Sequence, residues 1–190
     1  MNGGGLAYLW FKLSAMAWLV IGRPKAAEVI FDTMLARWPH DAYALASRSH
    51  VRAHSDRRAL AIADLQTLVA AQPNSSSAYW FNLAYLLEED GRYLEAESAF
   101  RCSLALDEKA DRAWYGLGLV LIRLQRYDEA VAALKKNTEL QPMSPYGWYQ
   151  LARVRFDRQE PEETRKIIRH LKGFEPKVAA QLERETGLVA

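Results

Sequence analysis

The sequence has a single cysteine, Cys102, among 190 residues, so it has no internal disulfide framework and no Cys-x-x-Cys metal or redox motif. It also lacks a strong net charge: the formal value of +2 gives little general attraction for a polyanion. Half of the residues are hydrophobic and a quarter are charged. This composition excludes a disordered or collagen-like chain and predicts a sizeable buried core.

A long uninterrupted hydrophobic run is also missing. The most apolar stretch, residues 6–21, is shorter than the ~20 residues that a spanning helix needs, and Lys12 and Ser14 interrupt it. Residues 1–5 contain no basic side chain of the kind that begins a signal peptide. We therefore expect a structural helix here, no membrane contact and a cytoplasmic location, with residues 1–7 forming a disordered N-terminus.

The sequence does contain an internal repeat. Trp80, Trp114 and Trp148 are spaced by 34 residues, and each is followed at the same distance by a leucine and then by a small residue. The same frame extends towards the N-terminus, where one unit has an extra residue. The units begin near residues 8, 42, 77, 111 and 145. Fixed spacing at this many positions is the sequence signature of a repeat architecture.

The clearest unit contains Trp114-x2-Leu117-Gly118, then Ala130-x3-Leu134, then a proline at 142. This pattern resembles the tetratricopeptide repeat family. The resemblance implies an all-α, right-handed superhelical solenoid of about five helix pairs, with repeats at about 8–41, 42–76, 77–110, 111–144 and 145–178. The polar segment that follows, including residues 179–190, is expected to form a C-terminal capping helix and tail.

Small residues have a clear purpose in such a pattern. A glycine at 118 lets two helix axes approach closely, while the neighbouring tryptophan and leucine fill the remaining space. The second repeat lacks the tryptophan, and either Ser47 or Ser49 stands at its small position. Its first helix therefore departs furthest from the repeat pattern.

The resemblance also implies that the first helix of each pair lines a concave side. Residues beside the packing stripe of these helices are mainly aromatic, with arginines among them. We predict that they form a groove for a peptide or helix of another protein, since large rigid side chains gain contact area at little entropic cost. The predicted groove residues are Phe81, Tyr85, Arg112, Tyr115, Leu119, Tyr146, Tyr149, Arg153 and Phe156.

Three alternatives to this hypothesis stay open. The aromatic side chains could simply pack between neighbouring repeats. The chain could be a regulatory or targeting part of a larger protein, either membrane-associated or enzymatic. Nucleic-acid binding is a further class, because Arg48, Arg52, Arg57, Arg58 and the basic last repeat could contact phosphates. The near-neutral net charge argues against that class, and we expect no nucleic-acid partner.

The N-terminal helix lacks a polar face, which an exposed first helix should have. Trp10, Phe11 and Trp18 lie on different sides of it. We therefore predict an association surface at these three residues. A missing upstream repeat, a second copy of this chain, another partner or a membrane surface could cover it, and we favour association or truncation over the membrane.

Residues for catalysis or metal binding are not evident in the sequence. His50 and His54 have the i, i+4 spacing of two metal ligands, but the basic segment around them repels cations. Cys102 has no neighbouring base at a spacing that would activate it as a nucleophile. We therefore predict a non-catalytic interaction scaffold that needs no metal and no cofactor.

Overall fold

The computed structural model describes residues 5–190, and within that range it contains eleven α-helices and no β-strand. The prediction of an all-α fold is confirmed. The chain divides into two compact units, Met1–Asp90 and Gly91–Ala190. The helices are α1 (Leu6–Val20), α2 (Pro24–Arg37), α3 (Ala42–Ala53), α4 (Arg58–Ala71), α5 (Ser77–Glu89), α6 (Tyr93–Leu106), α7 (Asp111–Arg123), α8 (Tyr127–Leu140), α9 (Pro145–Asp157), α10 (Pro161–Lys172) and α11 (Pro176–Thr186).

The first helix begins earlier than the sequence suggested. α1 starts at Leu6 rather than near residue 8, because the backbone N–H of Leu9 donates to the carbonyl of Gly5 at 3.2 Å and closes the first turn. The remainder of the predicted disordered segment, residues 1–4, lies outside the described residues.

In the first unit, α1 to α5 pack in sequence, each against the next. Helix α3 is well formed although its repeat lacks the tryptophan. Ser49, rather than Ser47, occupies the position at which the repeat pattern has a small residue. Ser49 is buried, and its hydroxyl donates to the carbonyl of Ala61 on α4 at 3.0 Å. The polar atom is thereby satisfied, so a serine replaces alanine here without leaving an unpaired buried group.

In the second unit, glycines allow the helices to approach closely. A Cβ atom added to Gly118 would lie 2.7 Å from the side chain of Leu134, and one added to Gly116 would lie 2.3 Å from the ring of Phe100. Both distances are too short for a real contact, so any larger residue would force the neighbouring side chain to move. The predicted role of Gly118 is confirmed.

The turn inside each helix pair contains a residue in the left-handed conformation. In the fourth pair, Gln125 has φ of 59°, and the N–H of Arg126 donates to the carbonyl of Leu121 at 2.9 Å. This six-to-one bond satisfies a carbonyl at the end of α7. The same conformation recurs at equivalent turns: Gly22, Asp56, Gly91 and Gln159.

The spaced tryptophans tie each helix to the loop before it. The indole N–H of Trp114 donates to the carbonyl of Glu108 at 2.8 Å, and those of Trp80 and Trp148 donate to the carbonyls of Pro73 and Pro142 at 2.7 and 2.9 Å. A buried indole normally needs such an acceptor. Each tryptophan thus fixes the loop that connects one helix pair to the next.

The last helix covers the end of the core, as the sequence predicted. Ala179 and Leu182 of α11 are fully buried in one hydrophobic cluster with Leu151, Ile168 and Leu171 of α9 and α10. The opposite side of α11 carries polar residues, so the helix closes the apolar end of the second unit.

Candidate functional site

The predicted groove residues are distributed over both units, and each unit is described separately. In the first unit, Phe81 and Tyr85 lie on α5, where Phe81 is half-buried and Tyr85 is exposed. In the second unit, three of the predicted residues lie on α7 and four on α9. These are Arg112, Tyr115, Leu119, Tyr146, Tyr149, Arg153 and Phe156.

One recess of about 470 Å³ opens in the second unit between α7, α9 and the beginning and middle of α11. It brings together three of the predicted residues, all of them tyrosines. It does not include Arg112, Leu119, Arg153 or Phe156. The lining consists of Tyr115, Pro145, Tyr146, Tyr149, Gln150, Glu175, Val178 and Gln181.

The sequence at the start of α9 positions the tyrosines. Pro145 occupies the first turn of the helix, where its missing N–H costs nothing. Gly147 is buried, and a Cβ atom there would lie 2.0 Å from the side-chain oxygen of Asn137 on α8. α9 therefore packs closely against α8 at Gly147. The adjacent Tyr146 is not buried by this contact: it is 70% exposed and lines the recess.

The carboxylate of Glu185 on α11 accepts three hydrogen bonds, and two of them, from Tyr149 and Arg153, join α11 to α9. Its carboxylate accepts from Gln181 at 2.8 Å, from the hydroxyl of Tyr149 at 2.8 Å and from Arg153 at 2.8 Å. These bonds, that of Gln181 foremost, hold the pKa of Glu185 below its ordinary value. The polar groups of Tyr149 and Arg153 are thus engaged within the second unit, which the prediction of an open groove did not anticipate.

Glu175 stands apart from this network. It is half-buried at the position before α11, it lines the recess, and its side chain does not cap the helix. Within residues 5–190 its carboxylate forms no ion pair. The recess therefore combines three phenol rings with one carboxylate that has no cationic partner among the residues that the structure describes.

Sequence reasoning missed Glu175, Gln181 and Glu185 as site residues. The available signal was the position of α11, which follows α10 as the first helix of a further pair would. A helix in that place packs beside α9, and its polar side can then reach the residues predicted on α9.

The arginines considered for phosphate binding are largely occupied by acidic side chains. Arg48 and Arg52 both bind the carboxylate of Asp64, which is buried, at 2.5 and 2.9 Å. Arg57 binds Glu28 at 2.6 Å. This segment is therefore neutralised inside the first unit and offers little charge to a nucleic acid.

Only one of the three residues predicted to form the association surface on α1 is exposed in the structure. Trp10 is exposed, as expected. Phe11 and Trp18 are half-buried, and the ring of Phe11 lies edge-on to that of Trp38 at 6.3 Å. The exposed side of α1 is formed instead by Trp10 with aliphatic residues and a methionine.

The two spaced histidines contact each other. The rings of His50 and His54 lie 4.1 Å apart, and Nδ1 of His54 lies 2.9 Å from the carbonyl oxygen of His50. In the part of the chain that the structure describes, no three or more His, Cys, Asp and Glu residues are grouped so that they could hold a metal ion. None of the helices in residues 5–190 has the length and hydrophobicity needed to cross a bilayer.

Comparison of the fold with solved structures gives extensive matches at low sequence identity. A tetratricopeptide repeat protein from Parabacteroides merdae has a TM-score of 0.83 at 19% identity, covering 96% of this chain and 75% of that one. MamA from Desulfovibrio magneticus has a TM-score of 0.80 at 16% identity, covering 95% and 97%. YrrB, described as a TPR protein with an unusual peptide-binding site, also scores 0.80 at 16% identity, covering 90% and 88%.

These structural similarities show the fold, whereas membership of a family is shown by comparison of the sequence. No curated protein is significantly similar in sequence. The sequence model of the tetratricopeptide repeat matches residues 48–107, 81–145 and 117–167, which together span more than half of the chain. With its repeated helix pairs and its regularly spaced tryptophans, the chain belongs to the tetratricopeptide repeat family.

Proposed function

We propose that this protein is a non-catalytic interaction module that binds a segment of another protein in the recess of its second unit, and that the recess accepts a basic side chain of that segment. The observation that carries the proposal is the presence of Tyr115, Tyr146, Tyr149 and Glu175 around one cavity. The proposed place of action is the cytoplasm.

The chemistry of the lining favours a cation. A lysine or arginine side chain over the ring of a tyrosine gains about 0.5–2 kcal/mol, with the larger values for desolvated sites. Glu175 adds a half-buried carboxylate that forms no ion pair with the described residues. An acidic ligand would instead meet this carboxylate, which would repel it.

The recess is large enough to hold one side chain of the partner together with the backbone next to it. A volume of about 470 Å³ lies in the ordinary range for ligand pockets, about 300–1,000 Å³. Pro145 and Val178 give apolar surface on which an alkyl stem can lie. Gln150, which also lines the recess, has an amide group that can bond an extended backbone.

Tyr146 is the proposed anchor, because it is the most exposed of the three tyrosines that line the recess. Rigid aromatic side chains commonly carry a large share of binding energy at interfaces. The other predicted residues, Phe81 and Tyr85 on α5 and Arg112, Leu119 and Phe156 on α7 and α9, remain proposed contacts outside the recess.

Known relatives support binding of a protein segment as the general activity. Tetratricopeptide repeats form scaffolds for other proteins, and YrrB is described as having a peptide-binding site. Nucleic-acid binding is less well supported, since Arg48, Arg52 and Arg57 are paired with buried acidic residues.

The test is selection of 12-residue peptides from a random phage library on the purified protein, followed by fluorescence anisotropy with the selected peptides. We expect enrichment of lysine or arginine, and a weaker complex when that residue is replaced by glutamine. Tyr146→Ala should weaken binding about tenfold, and Glu175→Gln several-fold, since a charge-assisted contact is worth about 1–2 kcal/mol.

Leu94→Ala is the matched control, because Leu94 is exposed on α6 and does not line the recess. Its affinity should equal that of the unmodified protein. Selected peptides without basic residues, or equal losses in the control and in Tyr146→Ala, would contradict the proposal.

A further inference from the structure

The inner side of α1 is firmly attached to the first unit. The hydroxyl of Tyr8 donates to Asp41 at 3.0 Å, and the Tyr8 ring lies edge-on to Trp38 at 5.2 Å. Lys12, the only charged residue of the helix, places its ammonium group 4.3 Å from the centre of the Tyr43 ring. The helix therefore presents a defined outer side.

That outer side is a continuous apolar strip. Its residues follow one another at intervals of three and four, the spacing of a single helix face. The six largest side chains are 50% to 89% exposed. We call this surface the α1 stripe; it consists of Leu6, Leu9, Trp10, Leu13, Met16, Ala17 and Val20.

The size of the α1 stripe exceeds what a monomer ordinarily exposes. Its exposed fractions correspond to roughly 800 Å² of side-chain surface, whereas the largest apolar patch of a typical monomer covers about 300–600 Å². A standard protein interface buries about 800 Å² on each partner. The stripe alone is therefore large enough to form most of a stable interface.

The stripe contains no charge, which narrows the kinds of partner that fit it. Neither its first turn nor its last turn has an acidic or basic residue, and Lys12 is engaged on the inner side. A charged partner would lose hydration without gaining an ion pair. Anionic lipid would find no cationic side chain within the stripe. A second apolar helix face is the complementary surface.

The order of side chains along the α1 stripe allows it to pack against an antiparallel copy of itself. About Leu13 as the midpoint, an antiparallel copy places Leu6 opposite Val20 and Leu9 opposite the small Ala17. It also places Trp10 opposite Met16, a favourable contact between a thioether and an aromatic ring. We propose that two copies of this chain associate through the α1 stripe, antiparallel, with the two-fold axis at Leu13. Such isologous contacts are the commonest form of homodimer.

Sedimentation velocity tests the association. We expect the full chain to be dimeric at micromolar concentrations, and Leu13→Glu to weaken the dimer at least a hundredfold, because it would bury two carboxylates at the axis. Leu60→Glu is the control, since Leu60 is exposed on α4 away from the stripe and should leave the dimer unchanged. Helicity measured by circular dichroism should be equal in all three proteins.

Oxidative cross-linking in a Cys102→Ser background tests the orientation. Leu13→Cys should form a covalent dimer. Val20→Cys alone should not, but a mixture of Val20→Cys and Leu6→Cys proteins should cross-link to each other. Efficient cross-linking of Val20→Cys with itself would indicate parallel helices and overturn the arrangement.

A monomer at 100 μM would overturn the association, whether or not the protein binds vesicles of phosphatidylcholine and phosphatidylserine. Vesicle binding by a monomer that Leu13→Glu abolishes would assign the stripe to a membrane surface instead. Tyr146→Ala should dimerise normally, so failure of this inference is distinguishable from failure of the proposed peptide site.

Discussion

The guanidinium group of Arg57 donates to both carboxylate oxygens of Glu28, at 2.9 and 2.6 Å. Glu28 lies on α2, and Arg57 directly precedes α4, so the pair joins consecutive helix pairs. In the second unit, Arg126 donates to Glu97 at 2.6 Å across the same sequence separation of 29 residues. Both glutamates are only 8% exposed. In both units, a buried glutamate in the second helix of one pair thus binds the arginine that precedes the second helix of the next pair.

Replacing Glu28 by glutamine should destabilise the first unit. The change removes the charge to which Arg57 and Arg52 donate, and hydrogen bonds to charged groups contribute about 1.5–3 kcal/mol. We expect a loss of about 2 kcal/mol in the free energy of unfolding, measured with urea at pH 7. Glu95→Gln is the control, because its pair with Arg92 is solvent-exposed and should contribute much less to stability.

The effect of Glu28→Gln should depend on pH. Hydrogen bonds from Arg57 hold the pKa of Glu28 below its ordinary value. A carboxyl group with a lowered pKa in the folded state stabilises it fully above the unfolded pKa of about 4.3, and the contribution disappears as the pH falls through the folded pKa. The difference between the two proteins should therefore shrink below pH 4. A constant difference from pH 7 to pH 2.5 would show that the charge is irrelevant.

Gly116→Ala should destabilise the second unit through overpacking. The added methyl group would lie 2.3 Å from the buried ring of Phe100, which must then move. Overpacking in a dense core typically costs about 1–3 kcal/mol. Denaturant unfolding should show this loss, whereas Arg123→Ala, at an exposed position near the end of the same helix, should stay within about 0.5 kcal/mol.

The turn residues should respond to substitution in opposite directions. At Gly91, φ is 75° and nothing lies within 4 Å of an added Cβ, so Gly91→Ala tests backbone conformation alone and should cost about 1 kcal/mol. At Gln125, φ is 59°, so Gln125→Gly should relieve strain and stabilise by about 0.5 kcal/mol. Thermal unfolding compared for the two variants checks the signs, and two shifts in the same direction would contradict this explanation.

Tyr149→Phe should raise the pKa of Glu185. The hydroxyl of Tyr149 is one of three donors that lower this pKa, after Gln181 and together with Arg153. Removing one donor makes the ionised form less favourable. Carboxyl-detected NMR titration should show a higher midpoint for Glu185 and an unchanged one for Glu163, which pairs with Lys166 elsewhere on α10. An unchanged Glu185 midpoint would mean that the bond is absent in solution.

Periodicity made the helices and the small positions predictable. The 34-residue spacing of tryptophans marks the first helix of three pairs, because each pair repeats the same packing problem and solves it with the same residue types. Gly118 could be assigned to a close helix contact for that reason. Ser47 and Ser49 could not be separated, since either would place a small side chain in α3, and only the bond from Ser49 to Ala61 distinguishes them.

The candidate site was predictable only in part. Tyr115, Tyr146 and Tyr149 occupy equivalent or neighbouring positions in successive repeats, so local spacing was enough to group them. Glu175 and Glu185 were missed because they lie just before and within α11, which has no tryptophan to place it in the repeat frame.

The sequence by itself determined that this chain forms repeated helix pairs, because helix periodicity and the fit of large against small residues are local and recur in every unit. Tertiary structure alone decided which side chains remain available. Glu185 engages Tyr149 and Arg153, Asp64 neutralises Arg48 and Arg52, and Lys12 turns onto Tyr43. These partners lie 12 to 36 residues apart, and only packing of separate helices brings their charges and rings into contact.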